Sequence, residues 1–205
     1  MKGKVSIYRK ALADDFFRLH PMLQKRYAFD NPVFQASGTM HRISGGPKCL
    51  LPLFRLGARR KFVFPESGTD ISFTIVNSSF TNSAGGEQVH WERKFSFPKK
   101  IRYFNALMSL DEQRMVVKDY LGEPPLFYSD LQFTVLDGGA MRIQSLNQRL
   151  ILGRIEIPLP KLLQGLATVV ESYDEVRRVF QIHVYVKNPL IGKVLSYEGE
   201  FIPDA

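Results

Sequence analysis

The segment QVHWERKFSF, residues 88–97, has the alternating pattern of a β-strand with a cation on its apolar face. Successive side chains of a strand point to opposite faces, so every second residue shares a face. Arg93 falls on the same face as four apolar residues, which are Val89, Trp91, Phe95 and Phe97. Because an unpaired guanidinium is costly to bury, Arg93 requires a carboxylate or carbonyl partner, or a wet cavity.

Three interpretations of Arg93 are open. The first is a structural ion pair with a glutamate of a neighbouring strand, and the candidates are Glu171, Glu198 and Glu200. The second is a pocket position, where both arms of the guanidinium bind a carboxylate or phosphate head group. The third is a β-bulge that shifts the register, so that the side chain reaches solvent.

The pocket hypothesis gains support from apolar residues on the same predicted faces. A concave sheet lined by such residues and a few polar groups is typical of a small-ligand site. The candidate lining residues are Trp91, Phe95, Met40 and Phe73. Arg42 shares a face with Met40 if the segment GTMHRISGG is extended, and two arginines in one cavity would favour an anionic, partly apolar ligand. The alternative for Arg42 is a strand end near the glycine turn.

No catalytic motif accompanies these residues. The four histidines (His20, His41, His90 and His183) lack metal-ligand spacing, and there is no G-x-S-x-G, P-loop or G-x-G-x-x-G motif. The sequence therefore predicts no catalytic residue, no metal ligand and no cofactor. An enzyme is not indicated, although acid–base groups that meet only in space leave no motif.

The composition is that of an ordinary globular protein. The chain has 205 residues, 44% hydrophobic and 23% charged, with 16 phenylalanines that favour β-structure. A single cysteine cannot form an internal disulfide. We expect a cytoplasmic protein, because the start lacks a signal-peptide core and no apolar run approaches about 18 residues.

The chain is basic, with a formal net charge of +8. Its Lys and Arg residues are spread in short groups such as GARRKF, FPKKIRYF and EVRRVF, without a nucleic-acid-binding motif. Nucleic acid is therefore disfavoured as a partner, and a solvated basic face is the simplest interpretation. An acidic protein or a membrane surface is the alternative partner. The sequence does not indicate an oligomeric state.

The periodicity predicts an α+β fold in a single domain over residues 1–205. Residues 6–29 have helical spacing, with Ser6 as a cap and Pro21 as a break or a second helix start. The remainder alternates and is divided by turns, which indicates eight to ten antiparallel strands. A sheet of that length curls into a half-barrel or barrel, and the N-terminal helix is expected to cover its concave face.

Four segments together resemble a known bacterial family. They are YRKALADDFFRLHPMLQKRY, GTMHRISGG, GEQVHWERKFSF and VLSYEGEFIP, and the resemblance covers nearly the whole chain. The family is that of the bacterial domain of unknown function 4166, which occurs alone or fused to dehydrogenase-like or membrane domains. The resemblance implies a bacterial module without assigned chemistry, so it transfers no site residue.

These observations favour a non-enzymatic module that binds an anionic amphiphilic small molecule. Arg93 would hold the anionic end, with Arg42 as a second anchor, while Trp91 and Phe95 would pack the apolar body. The alternatives are an accessory interaction domain with a basic surface, or an enzyme without a recognisable motif. An enclosed apolar cavity beside Arg93 would favour the first hypothesis, and a filled core with an exposed patch the second.

Overall fold

The computed structural model describes residues 5–204, and the chain begins with two short helices. Helix α1 (Ile7–Leu12) and helix α2 (Pro21–Ala28) are joined by a 3₁₀ turn, Ala13–Arg18. The Ser6 hydroxyl accepts a hydrogen bond from the Arg9 amide at 3.2 Å, and so caps α1. Proline opens α2, where its missing N–H costs nothing. The helices lie within the range that the sequence predicts.

A third helix, α3 (Leu51–Arg59), follows the first strand. A proline in its first turn is compatible with a helix start. None of the helices within residues 5–204 is long and apolar enough to cross a bilayer.

Twelve strands lie within the described residues. They are β1 (Val33–Ser44), β2 (Gly68–Thr81), β3 (Glu87–Phe97), β4 (Lys100–Tyr103), β5 (Ala106–Asp111), β6 (Val116–Leu121), β7 (Phe127–Val135), β8 (Met141–Leu152), β9 (Ile155–Pro158), β10 (Leu166–Asp174), β11 (Val179–Asn188) and β12 (Gly192–Pro203). All pairings between them are antiparallel.

Ten of the strands close into a barrel. Their order is β10-β11-β12-β1-β2-β3-β5-β6-β7-β8. The last strand, β8, also pairs with the first, β10, from Thr168↔Gln144 to Glu171↔Met141, and this pairing closes the ring. The short strands β4 and β9 extend β3 and β8 outside the ring. The sequence predicted a half-barrel or a barrel, and the structure is a closed barrel. Full closure satisfies the backbone groups that two open edges would leave unpaired.

The N-terminal helices fill one end of the barrel interior. Tyr8 of α1 and Tyr27 of α2 are buried, and their rings pack edge-to-face with centroids 5.0 Å apart. Trp91 of β3 donates its indole N–H to the Tyr8 hydroxyl at 2.7 Å. That hydroxyl in turn donates to the sulfur of Met108 at 3.4 Å. The two helices therefore form a plug that ends on the indole of Trp91.

A buried ion pair holds the plug in the barrel. Arg26 of α2 donates from Nε to Oε2 of Glu171 on β10 at 3.0 Å, and both side chains are almost completely buried. Tyr27 donates its hydroxyl to the same oxygen at 2.8 Å. The guanidinium also lies 4.4 Å from the ring centroid of Phe34, which suits a cation–π contact. Glu171 is thus satisfied by two partners from one helix.

We expect Arg26→Met to destabilise the protein by roughly 3–5 kcal/mol, because it leaves the Glu171 carboxylate buried without its cation. The double variant Arg26→Met/Glu171→Leu should recover much of that loss, since no charge then remains. Urea denaturation followed by circular dichroism measures both. The exposed pair Arg177–Glu200 is the control, and Arg177→Met should change the midpoint little. Equal losses for the buried and exposed pairs would contradict this account.

Candidate ligand-binding site

The barrel encloses a cavity of about 180 Å³ between the helical plug and α3. Most of its lining is aliphatic or aromatic, from both sides of the barrel and from α3; examples are Phe54, Phe104, Leu131, Ile143, Val169 and Val184. The charged side chains among its lining residues are Arg93 of β3 and Asp119 of β6. An apolar cavity with a few convergent polar groups is the usual form of a small-molecule site.

Arg93 faces inward, as the alternation of β3 predicts. Val89, Trp91, Arg93 and Phe95 are all buried along one face of the strand. The Arg93 Nε donates to the carbonyl oxygen of Phe104 at 2.7 Å, and Nη1 donates to the Tyr197 hydroxyl at 3.4 Å. Nη2 donates to no described residue. The guanidinium also lies over the Phe104 ring, 4.2 Å from its centroid, so Nη2 is the nitrogen of this buried cation that is available to a ligand.

The ion-pair interpretation of Arg93 is not what the structure shows. No carboxylate oxygen of residues 5–204 lies within 4.0 Å of its guanidinium. Glu171 pairs with Arg26 instead, and Glu200 pairs with Arg177 on the outer surface. Glu198 faces outward too, 3.9 Å from His183. The carbonyl and hydroxyl partners of Arg93 replace the expected glutamate.

Asp119 is a site residue that the sequence reasoning did not select. It is 5% exposed, and its Oδ1 atom is buried with no hydrogen-bond partner. Burial raises the pKa of the Asp119 carboxyl to about 7, while the positive charge of Arg93 acts in the opposite direction. The signal was present in the segment VVKDYL, where Asp119 shares the inward face with Val117.

Arg93 and Asp119 together can bind an anion at the buried end of the cavity. Below a pH of about 7 the Asp119 carboxyl is protonated, so it can donate a hydrogen bond and Arg93 supplies a net positive charge. A carboxylate or phosphate would then accept from Arg93 Nη2 and from the Asp119 hydroxyl. Above that pH the ionised Asp119 would repel the same ligand.

The remaining polar residues of the lining have structural partners. The Ser145 hydroxyl accepts from the Ala167 amide at 2.7 Å. The Gln148 side chain donates to the Gly165 carbonyl at 2.7 Å and accepts from the Gly165 amide at 2.8 Å. These bonds connect β8 to the start of β10 and to the segment before it. They shape the cavity wall and leave Arg93 and Asp119 as the polar groups offered to a ligand.

The six residues that the sequence proposed for the site lie in three different places in the structure. Trp91 and Arg93 line the cavity. Phe95 and Phe73 are fully buried and pack against each other with centroids 5.1 Å apart, and Met40 is fully buried too. These three residues lie in the packed core and not along the cavity. A face that points inward can meet either neighbouring side chains or empty space, and sequence alternation does not distinguish them.

The sixth residue, Arg42, lies on the outer surface. The register of β1 with β12 shifts between Met40 and Arg42, because His41 is an extra residue on one strand. Such a bulge interrupts the alternation, so Ile43 takes the next inward position and Arg42 is exposed. The expectation of two arginines in one cavity is therefore corrected to a single arginine with a carboxyl.

Fold and site together define the class: a closed antiparallel β-barrel with an internal apolar cavity and a buried cation–carboxyl group at its inner end. The chain belongs to the family described as "Domain of unknown function (DUF4166)", whose model matches residues 19–201. It is similar to the uncharacterized protein YndH of Bacillus subtilis (strain 168), with 39% identity over 197 residues, 96% of each chain. No solved structure matches it. The family resemblance predicted from the sequence is confirmed.

The raised pKa of Asp119 gives a testable pH dependence of stability. Between about pH 4 and 7 the unfolded carboxyl ionises while the folded one stays protonated, so wild-type stability falls as pH rises. Asp119→Asn removes this dependence. The difference in free energy of unfolding between the variant and the wild type should therefore shift by roughly 4 kcal/mol in favour of the variant from about pH 4 to pH 7. Urea denaturation at each pH measures this difference. Parallel stability curves for the two proteins would contradict the assignment.

Proposed function

We propose that this protein binds an anionic amphiphile in the barrel cavity, in the cytoplasm, without transforming it. One observation carries the proposal: the closed end of an apolar cavity holds a buried guanidinium with an unused donor beside a carboxyl without a partner. A buried polar group is normally satisfied, and exceptions indicate a missing ligand, ion or water. A carboxylate or phosphate head group supplies the acceptor that both groups need.

The exposed fractions of the lining residues indicate how a ligand would be oriented in the cavity. The inner residues Trp91, Arg93 and Asp119 are 3%, 6% and 5% exposed. At the other end of the lining, Leu53, Leu163 and Ile191 are 41%, 63% and 43% exposed. The head group would therefore lie deep in the barrel, next to the helical plug. The apolar part would lead outward between aliphatic side chains.

The volume suits a small apolar group. An enclosed apolar cavity of about 150 Å³ in another protein binds benzene, so about 180 Å³ accepts a group somewhat larger. A longer hydrocarbon chain would extend through the open end past Leu53 and Leu163. The proposal thus covers short fatty carboxylates and alkyl phosphates, and longer chains that leave their end outside the cavity.

A second candidate function is catalysis by Asp119. A carboxyl with a pKa of about 7 is suited to give and take protons at neutral pH, and Arg93 could hold an anionic substrate next to it. The two functions differ in the fate of the ligand. A binding module returns the amphiphile chemically unchanged after long incubation, as mass spectrometry of the extracted ligand would show.

We expect decanoate to bind and to change the fluorescence of Trp91. This residue is the single tryptophan of the chain and lines the cavity, so the signal reports the site directly. Arg93→Met should weaken decanoate binding about 10- to 100-fold, the range for loss of a hydrogen bond to a charged group. Decanol, which carries no charge, is the matched probe and should bind the variant and the wild type about equally.

The pH dependence separates the role of Asp119 from that of Arg93. Wild-type affinity for decanoate should fall with rising pH by up to about tenfold per unit above pH 7, because binding then requires protonation of Asp119. Asp119→Asn should make the affinity independent of pH in this range. Failure of decanoate to bind, or equal weakening of decanoate and decanol in Arg93→Met, would overturn the proposal.

A further inference from the structure

Three chain segments lie at the open end of the cavity, and the first of them is bonded to the neighbouring β6–β7 turn through Glu123. They are residues 47–61, which include α3, residues 159–166 before β10, and residues 187–195 around the β11–β12 turn. Asn188 connects the second and third segments, since its Nδ2 donates to the carbonyls of Leu162 and Gln164 at 2.9 and 2.8 Å. We call these three segments the mouth.

The mouth exposes aliphatic side chains. Leu53 and Leu56 of α3 are 41% and 45% exposed. The two turns add Leu162, Leu163, Leu190 and Ile191. Because Leu53, Leu163 and Ile191 also line the cavity, apolar surface continues without a break from the outside of the molecule to its interior.

The excess positive charge of the chain is located at the mouth. The three segments hold eight Lys and Arg residues and no Asp or Glu, and the whole chain has a formal net charge of +8. The rest of the chain is therefore formally neutral. Within residues 5–204, one of the eight forms an ion pair, Lys61 with Glu123. The exposed cations include Lys48, Arg55, Lys161 and Lys193.

We propose that the mouth docks on an anionic lipid bilayer, so that the cavity opens against the membrane. Aliphatic residues on turns and a short helix, flanked by unpaired cations, match the acyl chains and the anionic head groups of a bilayer. A protein interface is instead anchored mainly by Trp, Tyr and Arg, with Leu under-represented. The mouth segments hold three arginines (Arg55, Arg59 and Arg60) but no Trp or Tyr, and their single aromatic residue, Phe54, is buried.

Docking would also explain why the cavity opens at this end. The helical plug closes the opposite end, so a ligand enters and leaves between the mouth segments. An amphiphile could then pass between the bilayer and the cavity without crossing water. This exchange rests on the proposed function, whereas docking itself depends on the surface alone.

Vesicle flotation tests the docking. Wild-type protein should float with phosphatidylcholine vesicles that contain phosphatidylglycerol, more weakly at high salt, and poorly with phosphatidylcholine alone. Lys161→Gln/Lys193→Gln should weaken partitioning about 25-fold, at roughly fivefold per cation. Leu163→Gln/Leu190→Gln should weaken it at least about tenfold.

The matched control removes two exposed cations from the opposite end of the barrel. Lys25 lies on α2 before the start of β1, and Arg178 lies in the β10–β11 turn. Lys25→Gln/Arg178→Gln should partition within about twofold of wild type. Equal losses in the control and the mouth variants would overturn the proposal, as would absence of flotation. Loss in the lysine variant but not in the leucine variant would also overturn it, because the aliphatic side chains of the mouth would then make no contribution to membrane binding.

The same assay separates this proposal from the proposed function. Arg93→Met lies deep in the cavity and should still float like wild type while it loses decanoate binding. Flotation without decanoate binding in the wild type would support docking and reject the ligand. Decanoate binding without flotation would support the ligand and reject docking.

Discussion

The ion pair between Arg26 and Glu171 is the contact on which the interior of this protein depends. It attaches α2 to β10, one of the strands at which the barrel closes. A closed ring of ten strands needs its interior filled, and here helices fill one end while the other keeps a cavity. The Tyr8–Trp91 hydrogen bond lies where plug and cavity meet. The position of the plug therefore decides where the cavity ends.

The two buried arginines of the barrel have different surroundings, and the difference points to function. Arg26 has a carboxylate and a cluster of aromatic rings, so its charge is paired, although its Nη1 atom is buried without a hydrogen-bond partner. Arg93 also lies over an aromatic ring, that of Phe104, but its hydrogen-bond partners are a carbonyl and a distant hydroxyl, and it faces a cavity together with a carboxyl that has no partner. A structural role leaves Nη2 of Arg93 and the Asp119 carboxyl unexplained, whereas a bound anion would satisfy both.

The parts of the structure that follow from local pattern were predictable, and the parts that follow from distant contacts were not. The two N-terminal helices and the inward face of β3, with Arg93 on it, were predicted from periodicity. Closure depends on β8 meeting β10, which no local pattern specifies. The bulge at His41 reversed the side of Arg42, and only the pairing partner reveals such an extra residue. Asp119 could have been found, because it breaks the alternation of β6 as Arg93 breaks that of β3.

The central claim is that a buried arginine and a buried carboxyl hold an anionic amphiphile. Native mass spectrometry of the protein purified from its own host, followed by extraction and identification of any released molecule, tests it most directly. We expect an added mass on the wild-type protein that proves to be an amphiphile with a carboxylate or phosphate group, and its loss in Arg93→Met. Wild-type protein without an added mass, or a neutral molecule retained equally by Arg93→Met, would contradict it.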